Sequence, residues 1–245
     1  MSGHSKWATI KRKKGATDAK RGKLFAKLVR VVEVAARQGG GNPDSNPALA
    51  TAIDKARAAS VPIDNIERAI KRGTGEVEGV TYEEMWYEGY GPGGVALYVQ
   101  VLTENRNRAA SEVRSAFTRS GGNLGEPGSV AYMFEQKAWL VAEGDEERIT
   151  LAALDAEAED VRPSGDGFEV IGAPGHLDQI RRGLEAVGVK VESAEVTQLA
   201  KIDVPVSEAF AGKLLRLVET LEDLDDVQAV YTNADLPEST LAEIS

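Results

Sequence analysis

AWLVAEGDEERITLAALDAEAEDVRPSGDGFEVIGAPGHLDQIRRGLEAVGVKVESAEVT, residues 138–197, is the stretch whose reading decides the fold. Ala138-Trp139-Leu140-Val141-Ala142 is a short apolar run bounded by Gly144, which predicts a buried strand. Asp145, followed by Glu146 and Glu147, has the side chain and charge that favour a helix N-terminus, and the helix is predicted to reach about Ala158. Short strands are predicted near 160–163 and 167–171. Pro174 opens a second helix, Gly188 ends it, and 189–197 reads as a strand. The order β-α-β-β-α-β is that of a split βαβ, ferredoxin-like unit.

Working outward, GVALYVQVL at 94–102 predicts a strand, and Asn105 caps a helix that carries Ala109, Val113, Ala116 and Phe117 on its apolar side. Gly121-Gly122 ends that helix, and SVAYMFE at 129–135 reads as the next strand. Beyond 198, LAKIDVPV predicts a strand, Ser207 begins a helix with Leu214, Leu217, Val218 and Leu221, and a strand follows near 227–233. Joined to 94–135, these elements give a second β-α-β-β-α-β set, with 137–197 inserted at a hairpin loop, where insertions are tolerated. A serial arrangement of unrelated α+β lobes is the alternative.

The N-terminal third is helical. Thr17 or Asp18 caps a helix to about Gln38, with Leu24, Phe25, Leu28, Val31, Val32 and Ala35 on one face, and Gly39-Gly40-Gly41 ends it. Asn46-Pro47 opens a second helix to about Ala59. Pro62 opens a third, with Ile63, Ile66 and Ile70 inward and Gly73 closing it. Residues 1–16 lack a helical apolar period and read as an extended or loosely ordered arm. The expected fold class is α+β and multidomain: an N-terminal helical bundle plus two ferredoxin-like α+β domains, one inserted in the other. The expected divisions are 1–79, 80–136 plus 198–245, and 137–197.

The sequence has no Cys, which excludes disulfides and thiolate metal sites. Its N-terminus is charged and lacks the apolar core of a secretory signal, and no run approaches the ~20 apolar residues of a membrane span. A cytoplasmic location is the expectation. The net charge of −10 conceals an asymmetry: residues 1–73 carry 16 Lys and Arg against 6 Asp and Glu, whereas 74–245 carry 13 against 33. A basic region on an acidic body points to a polyanionic partner.

Catalytic signals dissolve on inspection. Gly89-Tyr90-Gly91-Pro92-Gly93-Gly94 fits G-x-G-x-x-G in form, yet it runs into a strand where a dinucleotide site needs a helix N-terminus, so it reads as a turn. Only His4 and His176 are present, too few for a multi-histidine zinc site, and neither has a nearby nucleophile motif. The clusters Asp145-Glu146-Glu147, Glu157-Glu159-Asp160 and Glu222-Asp223-Asp225-Asp226 lie at helix ends or on exposed faces and read as solvated charge. No enzymatic activity, cofactor, metal or small-molecule substrate is expected.

The nucleic-acid signal is concentrated in the first thirty residues. Lys6, Lys11, Arg12, Lys13, Lys14, Lys20, Arg21, Lys23, Lys27 and Arg30 face Asp18 as the sole acid there, with His4 and Trp7 interleaved. Lys and Arg neutralise phosphates, and an aromatic ring stacks on an unpaired base. The alternative is a solvated face, or an arm docked onto the acidic body. Arg106 and Arg108, beside Asn105 and Asn107 at a helix start, are further candidates for phosphate contact, with simple capping and surface charge as the alternative. The second and third helices could form a helix-turn-helix, but Asn65-Ile66-Glu67-Arg68-Ala69-Ile70-Lys71-Arg72 offers few base-reading side chains, which favours a plain bundle.

Several motifs together resemble one family. They are Gly3-His4-Ser5-Lys6-Trp7, Lys20-Arg21-Gly22-Lys23, the triple Gly with Asn46-Pro47, Asp64 to Lys71, Tyr87 to Gly94, Gly121-Gly122-Asn123-Leu124-Gly125 and Gly128-Ser129-Val130. The chain so read resembles the YebC/PmpR family of probable transcriptional regulators, relatives of mitochondrial translational activators. The resemblance spans nearly the whole chain and implies three domains, one helical and two α+β. It implies two alternative roles: binding promoter DNA to regulate transcription, or binding the ribosome and its RNA to help translate difficult, proline-rich stretches. Two departures stand out. Ala48-Leu49-Ala50 occupies a helix where members often carry basic residues, and Ala109 follows Asn107-Arg108 where a Thr is usual. An irregular basic arm with Trp7 suits folded RNA better than a groove-reading helix suits DNA. A protein-interaction scaffold that needs no nucleic acid is the third reading, and the oligomeric state is not legible.

Overall fold

The computed structural model describes residues 18–165, 167–237 and 239–240, with side chains from Arg21 onward. The expected arm at 1–16 and Thr17 lie outside the described residues.

Three helices, α1 (Asp18–Gly39), α2 (Pro47–Ala58) and α3 (Ile63–Thr74), form the N-terminal bundle. Val32, Ala35 and Ala36 of α1 pack on Leu49, Ala52, Ile53, Ala56, Ile66 and Ala69. Asn46 holds the α1–α2 turn together. Its buried side chain accepts from the Leu49 N–H at 3.1 Å and donates to the carbonyls of Ala35 at 2.9 Å and Gly40 at 2.8 Å. It therefore caps α2 and the end of α1 with one amide.

Two expectations for this bundle are corrected. Gly73 lies inside α3, and the chain leaves the helix at Gly75, whose φ is +82°. Gly73 serves close packing: a Cβ there would collide with the Glu33 carbonyl of α1. Ile63, expected inward, is exposed, because as the first residue of α3 it precedes the turn that meets α1. Leu24 and Val31 are likewise exposed and line a cleft beside the body.

The body opens with β1 (Glu83–Tyr90), β2 (Ala96–Thr103), α4 (Arg106–Arg119) and β3 (Asn123–Leu124). A second unit follows: β4 (Phe134–Glu143), α5 (Glu146–Asp155), β5 (Ala158–Ser164), β6 (Gly167–Gly172), α6 (Leu177–Ala186) and β7 (Lys190–Ala200). The chain then returns through β8 (Val204–Pro205), α7 (Glu208–Glu222), β9 (Val227–Thr232) and β10 (Ala234–Asp235). The second unit has the expected β-α-β-β-α-β order, and its sheet runs β5-β6-β4-β7 with every pairing antiparallel. Ile149, Ala153, Ile180 and Leu184 of its helices bury against Leu140 and Val170.

The enclosing sheet runs β3-β1-β2-β9, also antiparallel throughout. Position by position it matches the inserted sheet: the strand after the first helix, then a central strand, then the strand before that helix, then the last strand. The difference is where the first central strand comes from. In the inserted unit it follows β5, whereas in the enclosing sheet it is β1, which comes first in the chain. The strands expected at 129–135 and 199–206 do not fill that place. Ala131–Met133 is a single 3₁₀ turn, Phe134 and Glu135 belong to β4, Leu199 and Ala200 end β7, and Val204–Pro205 pairs in parallel with β10 outside the sheet. The reason is a contact distant in the chain: the N–H groups of Val130 and Ala131, which a strand would give to a neighbouring ladder, are given to the Glu88 carboxylate.

Helices α4 and α7 cover one face of the enclosing sheet, where Phe117, Val113, Leu214, Leu217 and Leu221 meet Leu97, Val99 and Val101. On the other face Trp86 and Tyr98 stack at 4.2 Å, and Tyr231 and Phe134 extend the stack at 6.1 and 5.7 Å. Burial pushes the Tyr231 hydroxyl up to about 12, with Glu195 adding to the rise, so it stays neutral.

Candidate nucleic-acid interface

The described cations of α1 divide between the body and solvent. Lys27 Nζ donates to the Glu222 carbonyl at 2.5 Å, and Lys23 Nζ donates to the Asp223 carbonyl at 2.8 Å. These carbonyls lie at the C-terminal end of α7, where unpaired C=O groups and the helix dipole favour positive charge. Lys23 is still half-exposed and lies 3.8 Å from Asp225. Arg30 reaches deepest. It donates to the carbonyls of Leu102 at 2.9 Å and Asp225 at 3.0 Å and lies over the Tyr82 ring.

Asp226 is the centre of this contact. Its carboxylate accepts from Arg30 at 3.2 Å, from Arg108 at 2.9 Å and from the Thr103 hydroxyl at 2.8 Å. It is 3% exposed, so it is a buried junction between the bundle and the body, not the solvated charge that its acidic cluster suggested. The hydrogen bond from Arg108 to Asp226 holds the guanidinium more firmly protonated than usual. The other acidic clusters are local: Asp145 caps α5 through the Arg148 N–H, Glu159 pairs with Lys137, and Asp160 pairs with Arg162.

The candidate contact residues thus fall into three groups. His4, Lys6, Trp7, Lys11, Arg12, Lys13 and Lys14 lie outside the described residues, and Lys20 is described only in its backbone. Arg21 and Arg106 are on the surface, Arg106 beside Glu83 at 3.5 Å. Lys23, Lys27, Arg30 and Arg108 take part in the bundle–body contact, Lys23 while still half-exposed. Part of α1 is thus docked on the body, while the arm, for which docking was the alternative, lies outside the described residues.

The motif Tyr87 to Gly94 is structural at its core. Glu88, buried in β1, accepts from the N–H groups of Gly128 at 2.7 Å, Val130 at 2.6 Å and Ala131 at 2.8 Å. Its carbonyl accepts from Gly125 N–H at 2.7 Å. Burial alone would raise its pKa, but the three backbone donors outweigh burial and lower it. Glu88 therefore ties the 125–131 loop to β1 through its carboxylate and its backbone carbonyl. Gly89 and Gly122 permit the approach, since a Cβ on Gly89 would lie 2.6 Å from Phe117 and one on Gly122 would lie 2.8 Å from the Tyr90 carbonyl. The turn after β1 holds Gly93 and Gly94 at φ of +87° and +76°, and a strand follows it, as the turn reading requires.

Sequence reasoning passed over four other cations. Arg114 and Arg119 of α4 and Lys213 and Arg216 of α7 border two adjoining surface grooves, with Arg119 shared by both. None of the four forms an ion pair with a carboxylate among the described residues, whereas Arg106, Arg108, Lys137, Arg162, Arg181 and Lys190 all do. The one faint signal is the i,i+3 spacing of Lys213 and Arg216, which places both on one helix face.

The architecture and these motifs agree with the comparisons to known proteins. Residues 5–76 match the TACO1/YebC protein N-terminal domain, and residues 82–234 match the TACO1/YebC second and third domain. The chain belongs to the TACO1/YebC family. It is 57% identical over 249 residues to a probable transcriptional regulatory protein of Thermobifida fusca, covering all of both chains. It is 54% identical to a probable transcriptional regulatory protein of Desulfatibacillum aliphaticivorans, covering 99% of this chain and 100% of that one. A crystal structure of a conserved hypothetical protein from Aquifex aeolicus superposes with a TM-score of 0.80 at 47% identity, covering 90% of this chain and 92% of that one. Among the described residues, no helix of this TACO1/YebC chain is long and apolar enough to cross a membrane.

Proposed function

We propose that this protein is a nucleic-acid-binding regulator of gene expression that acts in the cytoplasm without catalysing a reaction. Its role is that of a translation factor that docks on ribosomal RNA and aids translation of difficult, proline-rich stretches. The observation that carries the reading is the charge division: 16 cations against 6 acids in residues 1–73, on a body with 13 against 33. Relatives named as probable transcriptional regulatory proteins support the wider class. RNA is favoured over duplex DNA by two features. The acidic body would be repelled along an extended duplex, whereas a ribosomal site lined by protein accommodates it. The exposed side of α3 presents Asp64, Asn65 and Glu67 beside Arg68 and Lys71, a mixed surface poorly suited to reading a groove.

The DNA reading rests on the relatives' name and is separated by fractionation. Sedimentation of native lysate with crosslinking should place the protein on ribosomes. Enrichment on promoter fragments with absence from ribosomes would sink the translation role, and binding to neither would favour a protein scaffold. Changing Lys11, Arg12, Lys13 and Lys14 to Ala should weaken RNA binding. It should also reduce the slope of log K against log salt by roughly 0.7–0.9 for each phosphate the arm no longer neutralises. An unchanged slope would remove the arm from the binding surface.

A further inference from the structure

The acidic body carries a cationic groove of its own. It lies between the end of α4 and the outer face of α7, with a volume of about 790 Å³. Arg119, Lys213 and Arg216 supply its charge, and among the described residues no carboxylate lines it. Its wall beside Lys213 is the Gly91-Pro92-Gly93-Gly94 turn, where the Gly91 carbonyl accepts from Gly94 N–H at 3.0 Å. With no side chain at three of these four positions, the turn leaves room beside Phe210, which is 43% exposed. The Phe210 Cβ lies close enough to Gly93 that an added Cβ would sit 3.5 Å away. Arg114, with Ser111, Ser115 and Thr118, continues the polar, basic surface along α4.

This concentration runs against the surrounding composition. Residues 74–245 contain 13 cations against 33 acids, and four of those cations gather here with no ion pair to an acid among the described residues. Like charges placed together without acids repel one another, so the cluster gains most from an anionic partner. An exposed aromatic ring among cations on an open groove combines phosphate neutralisation with a stacking platform. A duplex would keep its bases stacked and leave Phe210 idle.

We infer that the groove between α4 and α7 is a second nucleic-acid site, which takes a single-stranded polynucleotide: Arg119, Lys213 and Arg216 hold its phosphates and Phe210 stacks one unpaired base. It extends the nucleic-acid reading proposed above, in which the strand is RNA, and its cations are not those of the α1 contact.

The test uses the full chain and a fluorescein-labelled 12-nucleotide oligouridine, with anisotropy measured across a salt series. Phe210→Leu, which keeps the apolar contact with Gly93, should weaken binding about tenfold, the lower part of the range for removing one base stack. It should leave binding to a 12-base-pair RNA duplex unchanged. The double change Lys213→Ala with Arg216→Ala should make the salt slope shallower by up to about 1.4, at roughly 0.7 per single-strand phosphate neutralised. Changing Arg148 and Arg182 to Ala removes two cations elsewhere, on α5 and α6, and should leave the slope as it was. Melting curves verify that each variant is folded. If Phe210→Leu and the double change bind oligouridine like the parent, the site is overturned, while ribosome association of the parent still stands. If they bind less but the parent does not sediment with ribosomes, the site stands and the translation role falls. An equal loss from the Arg148 and Arg182 change would reduce the effect to general charge and overturn the site.

Discussion

Two sets of cations on this molecule are alike in chemistry and opposite in surroundings. Those on α1 meet the body: Lys23 and Lys27 cap the carbonyl end of α7, and Arg30 closes on Asp226. Arg114 and Arg119 of α4 and Lys213 and Arg216 of α7 form no ion pair with a carboxylate among the described residues. Basic density in a sequence is therefore not a measure of free basic surface. The richest cationic stretch of the described chain commits part of its charge to holding two domains together, whereas the sparse, acidic body gathers four cations around two adjoining grooves with no ion pair among the described residues. Substitutions in the first set should read out mainly in stability, and those in the second mainly in binding.

The largest effect should come from Asp226→Ala, which removes the shared partner of Arg30 and Arg108. The side chain of Arg30 is 15% exposed, so it would be left poorly compensated, and a loss of about 3–5 kcal/mol is expected from urea unfolding. A loss below about 1 kcal/mol would show that the bundle–body contact is as weak as a surface pair, and the two sets of cations would no longer differ in kind.

Glu88→Gln comes next and extends the contrast to a carboxylate held by backbone N–H groups instead of cations. It should cost about 1–3 kcal/mol at neutral pH, because the neutral amide serves three donors poorly. The pH dependence has a definite sign. The folded-state pKa of Glu88 lies below the ordinary 4.5, so its contribution is fully present above that value. It is lost as pH falls through the lower folded value. The gap between parent and variant should therefore narrow as unfolding is measured from pH 7 down to about 3; a gap that widened in acid would refute the assignment. The smallest effect belongs to Lys213→Ala with Arg216→Ala, which should change stability by no more than about 0.5 kcal/mol per site. A larger loss would reveal a structural partner for these cations.

Much of the fold was legible because its signals are local. Asn46-Pro47, Asn105 and Asp145 announce helix starts through side chains that satisfy free N–H groups, and all three cap as expected. The inserted β-α-β-β-α-β unit was legible for the same reason, since its strand and helix periods alternate within about sixty residues of continuous chain. The enclosing sheet was not. Nothing in Glu83–Tyr90 distinguishes a central strand from an edge, because Met85, Trp86 and Tyr87 put apolar side chains on both faces. The apolar run at 129–135 looks like a strand until the Glu88 carboxylate, distant in the chain, takes its N–H groups. Gly73 was read as the helix end, and only the close approach of α3 to α1 shows that it lies inside the helix, with Gly75 beyond it at positive φ.

The candidate interface divides the same way. Sequence alone determined the charge asymmetry, the helical bundle with its caps, the inserted unit and the family, because each follows from composition or from neighbours a few residues apart. Tertiary structure alone decided which charges are engaged. Asp226 is one acid in a cluster until packing buries it between Arg30 and Arg108, and Lys213 and Arg216 are surface cations until α7 sets them beside Arg119 and Phe210. The physical reason is that Coulomb energy and desolvation depend on distance and burial, and the bundle–body distances that matter here join residues between 72 and 200 positions apart along the chain.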